Sequence, residues 1–160
     1  VNLQRLVFLL ILLLVGFNLA LFTFKTFQVI TEYQRRNAST ASTFIKKYIP
    51  AGSKVIGDPL FYYAVTENGS NYHYYDLYNT LEKREEALRT KFDYDYLIVS
   101  GISRLRNPSI SDYFLQNASL DTVATLQIPE NQLASFLNQL GLVSTMEASG
   151  YNCTIFKRKK

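Results

Sequence analysis

One cysteine, Cys153, and one histidine, His73, are all that the chain holds of the two side chains on which most thiol and transition-metal chemistry is built. A lone cysteine excludes an intrachain disulfide. One Cys and one His make a zinc site only with several suitably spaced carboxylates, and no such spacing occurs. His73 lies among aromatic residues and is expected to be structural. The motifs that mark common catalytic sites are missing as well: there is no G-x-G-x-x-G after a strand, no P-loop, no G-x-S-x-G and no H-E-x-x-H. Neither a metal nor an organic cofactor is expected. Internal repeats and low-complexity tracts are also absent, and 160 residues suffice for one domain with a core of its own.

What the chain does have is a concentrated apolar block. Between Arg5 and Lys25, in "RLVFLLILLLVGFNLALFTFK", only Asn18 and Thr23 are strongly polar. At about 1.5 Å per residue the stretch from Leu6 to Phe24 covers roughly the ~30 Å hydrocarbon core of a bilayer, so a transmembrane helix is expected. A signal peptide has a shorter apolar core and a small-residue cleavage site, whereas this segment ends in Leu21-Phe22-Thr23-Phe24. The chain begins with Val1, which fits a fragment or a processed product and equally an expression product.

The formal charge of +4 comes from the ends. Residues 37 to 160 carry 13 Lys or Arg and 12 Asp or Glu, with four of the bases in the terminal Lys157, Arg158, Lys159 and Lys160. Without that tail the domain is mildly acidic and offers no basic stripe for nucleic acid. Three segments follow: 1–36, a transmembrane helix with a juxtamembrane extension; 37–157, an α/β domain; and 158–160, a basic tail.

Beyond Lys25 the helix is expected to continue as "TFQVITEYQRR", and Asn37 offers a cap for a second helix with Phe44, Ile45, Tyr48 and Ile49 on one face. Pro50 and Gly52 stop it, and "KVIG" reads as a strand. Asp58-Pro59 resembles an N-cap followed by proline at the first helical position, opening a short helix to about Thr66. "ENGSN" is a turn and "YHYYDLY" an aromatic strand. "TLEKREEALRTKF" is a helix with Leu81, Leu88 and Phe92 on one face. "DYLIVSG" is a buried strand, "ISRLRNPS" a loop, "ISDYFLQNA" a short helix and "DTVATLQI" a strand. "PENQLASFLNQLG" is a helix with Leu133, Phe136, Leu137 and Leu140 on its apolar face, and "YNCTIFK" is the last strand. Strands alternating with helices of this length predict a small α/β sandwich with a mostly parallel sheet and antiparallel edges.

Three residues fall where such a sheet binds ligands. Asp58 follows the first strand, at the carboxyl end of the sheet, although an Asp-Pro pair there is first of all a cap. Ser100 and Arg104 follow the central strand and could contact an anionic group, or belong to a solvated loop. Tyr62, Tyr63, Tyr72, Tyr74, Tyr75 and Tyr78 could form sugar-stacking platforms, since tyrosine has an apolar face and a polar tip, or half-buried sheet surface. No catalytic residue is assigned.

The juxtamembrane "FIKKYIPAGSKVIGDPLFYY", the central "DYDYLIVSG" and the closing "STMEASGYNCTIFK" resemble the C-terminal end of bacterial membrane glycosyltransferases of the GT-C type, the protein O-mannosyltransferase and lipid A aminoarabinose transferase-like group. The resemblance covers essentially the whole chain through sequence texture rather than a signature motif. It implies the last membrane helix and accessory extracytoplasmic domain of an inner-membrane enzyme that uses a polyprenyl-phosphate sugar donor. The bilayer, the rest of the enzyme's membrane portion, the donor and its acceptor are the implied partners. The family's catalytic acidic residues lie in an early extracytoplasmic loop, which this sequence does not contain. Local charge points the other way: Lys25, Arg35 and Arg36 follow the apolar segment and Arg5 alone precedes it, which taken in isolation puts the domain in the cytoplasm. A single-pass anchored binding module is the alternative.

Overall fold

The computed structural model describes residues 3–31, 33, 37–89, 93–106, 108–129, 132–139 and 150–159. It divides into two compact units, Val1–Tyr33 and Gln34–Lys160.

The first unit is one helix, α1 (Leu3–Thr31). Leu12, Leu13, Leu14 and Val15 are 51 %, 69 %, 63 % and 51 % exposed, and four consecutive residues sweep most of a helix's circumference. The apolar surface therefore runs all the way round, as in a membrane span rather than an amphipathic surface helix. Residues Leu3–Phe27 are long and apolar enough to cross a bilayer. Three polar side chains inside this stretch bond back to the helix: the Asn18 amide donates to Leu14 O at 2.8 Å, and the Thr23 and Thr26 hydroxyls donate to Leu19 O and Phe22 O at 2.9 Å. Such back-bonding pairs these donors where lipid supplies no partner.

The second unit is an α/β domain. Its helices are α2 (Ala38–Tyr48), α3 (Tyr62–Thr66), α4 (Leu81–Arg89), α5 (Gly101–Arg106), α6 (Pro108–Asn117) and α7 (Gln132–Gln139). Its strands are β1 (Lys54–Gly57), β2 (Asn71–Tyr74), β3 (Tyr96–Ser100), β4 (Leu120–Leu126) and β5 (Cys153–Arg158), in the spatial order β2-β1-β3-β5-β4. The sheet is mixed. β2, β1 and β3 are parallel, and β5 and β4 complete the sheet antiparallel. The expected α/β class holds, but the sheet is not mostly parallel: two of its four pairings are antiparallel, and these hold more residue pairs than the two parallel ones. β5 runs to Arg158, and Lys159 pairs with Asp121 at 2.7 Å, so the sheet takes in the start of the segment read as a basic tail.

Strand alternation divides the core into two layers. Val55, Tyr96, Ile98, Cys153 and Ile155 face α2 and α3, meeting Ala41, Ile45, Ile49, Phe61 and Val65. Ile56, Leu97 and Val99 face the other way, against Tyr78, Ala87, Tyr94, Ile110 and Phe114. Asn37 caps α2 through its side chain, and Gly52 takes a φ of +81° in the turn after Pro50, both as their positions in the sequence suggest.

Four expectations are corrected. The strand in "YHYYDLY" ends at Tyr74, and Tyr75–Tyr78 forms a 3-10 turn. "ISRLRNPS" holds the helix α5 rather than a loop. In α4 Leu88 packs on the core as expected, beside the fully buried Ala87, while Leu81 is 57 % exposed; a helix entering from a turn frees its first residue from the sheet. Phe136 is 56 % exposed on α7, so periodicity alone overstated that helix's buried face. The side chains of Leu133 and Leu137, and residues Phe92 and Leu140, lie outside what is described.

Candidate functional site

Register assembles the site. Val55 lies opposite Tyr96 and Ile56 opposite Leu97 on parallel strands, and Ser100 lies opposite Cys153 on the antiparallel neighbour. Asp58, Ser100 and Cys153 thereby meet at adjacent strand ends. Asp58 keeps its cap: its Oδ1 accepts from Leu60 N at 2.9 Å, with Pro59 at the start of the following turn. Ser100 precedes α5 and forms a reciprocal cap with Ser103. Ser103 N donates to Ser100 Oγ at 3.1 Å, and Ser100 N donates to Ser103 Oγ at 3.2 Å, a capping box with serine in the place usually held by Glu or Gln. Both hydroxyls then donate to Asp58 Oδ2, that of Ser103 at 2.7 Å.

One carboxylate thus ties together two helix starts. Asp58, Ser100 and Ser103 are 3 %, 2 % and 1 % exposed. A carboxylate beside a serine hydroxyl is the beginning of a nucleophile-and-base pair, but a reacting carbonyl needs room next to the oxygen, and this oxygen is enclosed. Packing tightens on the other side too. Tyr72 Oη donates to Asp58 O, and a Cβ on Gly57 would overlap that hydroxyl and crowd Ile98, so only glycine lets β1 and Tyr72 approach this closely.

Burial pushes the Cys153 thiol up to about 12, and the charge of Asp58 adds to the shift. A thiol so far from ionisation is a core group, not a nucleophile. His73 stands apart on β2, where its Nδ1 lies 3.5 Å from Tyr78 Oη. Burial lowers its pKa, and the charge of Lys54 lowers it further.

Beside the clamp opens a shallow cleft of about 210 Å³, lined by Ser100, Arg104, Gln127, Asn152, Cys153 and Thr154 among others. Arg104 is exposed at this cleft. The three residues singled out from sequence are therefore neighbours, with Asp58 and Ser100 buried in the clamp and Arg104 free to meet solvent. Ser103 lies in the segment whose sequence resembles a loop, and its only local signal is the S-x-x-S spacing from Ser100. Asn152 is held by Ile128, donating to its carbonyl at 3.1 Å and accepting from its amide at 2.8 Å. Among the described residues no group of three or more His, Cys, Asp and Glu could hold a metal ion. Arg104 gives the cleft an exposed cationic hydrogen-bond donor.

Of the tyrosines, Tyr62 gathers three others, its ring centroid lying 5.2 Å from Tyr63, 6.3 Å from Tyr72 and 5.7 Å from Tyr74. Tyr78 belongs instead to the core, edge-on to Phe114 at 5.6 Å, and the side chain of Tyr75 is outside what is described. No family model, curated protein or solved structure matches this chain.

Proposed function

We propose that the chain is the C-terminal membrane helix and accessory extracytoplasmic domain of a polytopic glycosyltransferase using a polyprenyl-phosphate sugar donor, with the reaction centre outside residues 1–160. The observation that carries the reading is α1. Fifteen of the nineteen residues from Leu6 to Phe24 are Leu, Ile, Val or Phe, which favours insertion by roughly 5 to 9 kcal/mol before Asn18 and Thr23 are counted. An all-round apolar helix of this kind suits a site among other helices and lipid. The closed clamp at Asp58 supports an accessory role, because the sheet edge where α/β enzymes usually place chemistry is filled by structural hydrogen bonds. The sequence resemblance supplies the enzyme class.

The test is transfer itself. In membranes holding the full-length protein, deletion of residues 37–160 should reduce sugar transfer from a polyprenyl-phosphate donor, while residues 1–160 alone should transfer nothing. Transfer by residues 1–160, or full activity without the domain, overturns the reading. Orientation is checked with Asp112→Cys, an exposed position on α6, and a membrane-impermeant thiol reagent. The native Cys153 is buried and stays silent. Labelling of intact cells is expected, and labelling only after permeabilisation places the domain in the cytoplasm.

A further inference from the structure

A second groove, of about 440 Å³, runs between α2 and α3. Its floor follows from helical spacing. Ser39, Ser42, Thr43 and Lys46 stand at i, i+3, i+4 and i+7 and form one polar stripe along α2, while Ala41 and Ile45 turn to the core. On α3 and its C-terminal end, Tyr63 and Glu67 stand at i and i+4 and form the facing wall, and Tyr151 completes the lining. Tyr63 is 74 % exposed. Tyr151 is braced edge-on against the buried Phe61, with ring centroids 6.1 Å apart.

We infer that this groove binds a neutral carbohydrate, a hexose or a short glycan. Tyrosine rings offer apolar faces to the C–H faces of a sugar and phenolic tips to its hydroxyls. Three hydroxyl side chains on one stripe add donors and acceptors at one-turn intervals. Lys46 and Glu67 line the same groove with opposite charges, which gives a ligand both a strong donor and a strong acceptor while cancelling the net field that would select an anion. Two helix faces with their backbone groups internally bonded offer no strand edge for an extended peptide to pair with. The size is within the range of small-molecule sites. That the sugar is one handled by the proposed enzyme rests on the preceding reading; the ligand class rests on the lining alone.

The experiment uses the full chain in phosphatidylcholine nanodiscs with saturation-transfer NMR. The probes are methyl gluco-, manno- and galactopyranosides and their disaccharides, with inorganic phosphate as a competitor. Saturation of sugar ring protons is expected at millimolar ligand, with phosphate failing to displace it. Tyr63→Ala and Lys46→Met change exposed side chains and should leave the circular dichroism spectrum unchanged while weakening binding roughly tenfold. No saturation transfer from any of these sugars, transfer unaffected by both variants, or displacement by phosphate overturns the inference. Sugar binding at the groove together with a full-length protein that transfers no sugar would keep the groove and overturn the enzyme reading. Domain-dependent sugar transfer with a groove that binds no sugar would do the reverse.

Discussion

Replacing Asp58 with alanine removes a carboxylate that joins the end of β1 to the start of α5, and the cost can be worked from the bonds it holds. Leu60 N loses its cap acceptor, worth about 0.5 to 2 kcal/mol. Ser100 and Ser103 lose a shared carboxylate oxygen. Their hydroxyls are 3.1 Å apart, so one can donate to the other, leaving one buried donor unpaired at about 1 to 3 kcal/mol. The total is roughly 1.5 to 5 kcal/mol. At an m-value of about 2 kcal/mol/M the urea midpoint falls by roughly 0.8 to 2.5 M. Asp58→Asn retains the capping oxygen and lets its amide donate to serine hydroxyls that can rotate to accept, so it should cost about 1 kcal/mol. Tyrosine fluorescence of the full chain in mild detergent reports the transition, because eleven of the twelve tyrosines lie in the second unit. Ser103→Ala completes a double-mutant cycle, in which a coupling of about 1 kcal/mol is expected between the paired groups. An Asp58→Ala loss below about 0.5 kcal/mol, the scale of an ordinary surface change, refutes the clamp.

Tyr94 is fully buried and its hydroxyl has no hydrogen-bond partner among the described residues, so Tyr94→Phe should hold or raise stability, by up to about 1 to 3 kcal/mol; a loss above about 1 kcal/mol in urea unfolding would reveal a bonded hydroxyl. Burial raises Tyr78 and Tyr94 to about 12, above the unfolded value near 10. The unfolded chain therefore releases these protons first, stability should fall as pH rises from about 10 towards 12, and a pH series of melting curves on Tyr94→Phe should show a shallower fall. His73 has a lowered folded pKa, so its neutral form contributes stability above the unfolded value near 6.5, and part of that should be lost as pH drops below it; His73→Gln should flatten the acid limb of the same series. Residues 37–160 should melt cooperatively without α1, since both core layers are built from that unit, and a featureless circular dichroism spectrum would mean that the sheet depends on the membrane helix.

Elements whose signal is local were legible in the sequence. The caps at Asn37 and Asp58, the turn at Gly52, the strand Lys54–Gly57 and the continuous apolar strand Tyr96–Ser100 each depend on a few adjacent side chains, and each stands where those side chains put it. Strand direction was less legible because it depends on how the chain returns. Nothing within "YNCTIFK" distinguishes a parallel from an antiparallel neighbour of β3, and β5 came in antiparallel. α5 was hidden for a similar reason. Its six residues carry no apolar period long enough to read, and its start is a cap made by serines whose third partner, Asp58, is 42 and 45 residues away.

The same distance dependence explains the two clefts. Asp58, Ser100 and Arg104 were recognisable as residues at strand ends, but whether such a carboxylate is available for chemistry depends on what else reaches it. Here two hydroxyls and a backbone amide take up its oxygens, so burial is achieved with every charge-bearing atom bonded, the condition under which a buried carboxylate is tolerated. That use of Asp58 closes the parallel half of the sheet at its carboxyl edge. What remains open beyond that edge is the cleft at Arg104 and the helical groove, whose polar stripe Ser39, Ser42, Thr43 and Lys46 is a period of 3.6 written in polar rather than apolar side chains. With Ala41 and Ile45 buried on another side, α2 has one face packed on the core and one lining the groove proposed above for a sugar.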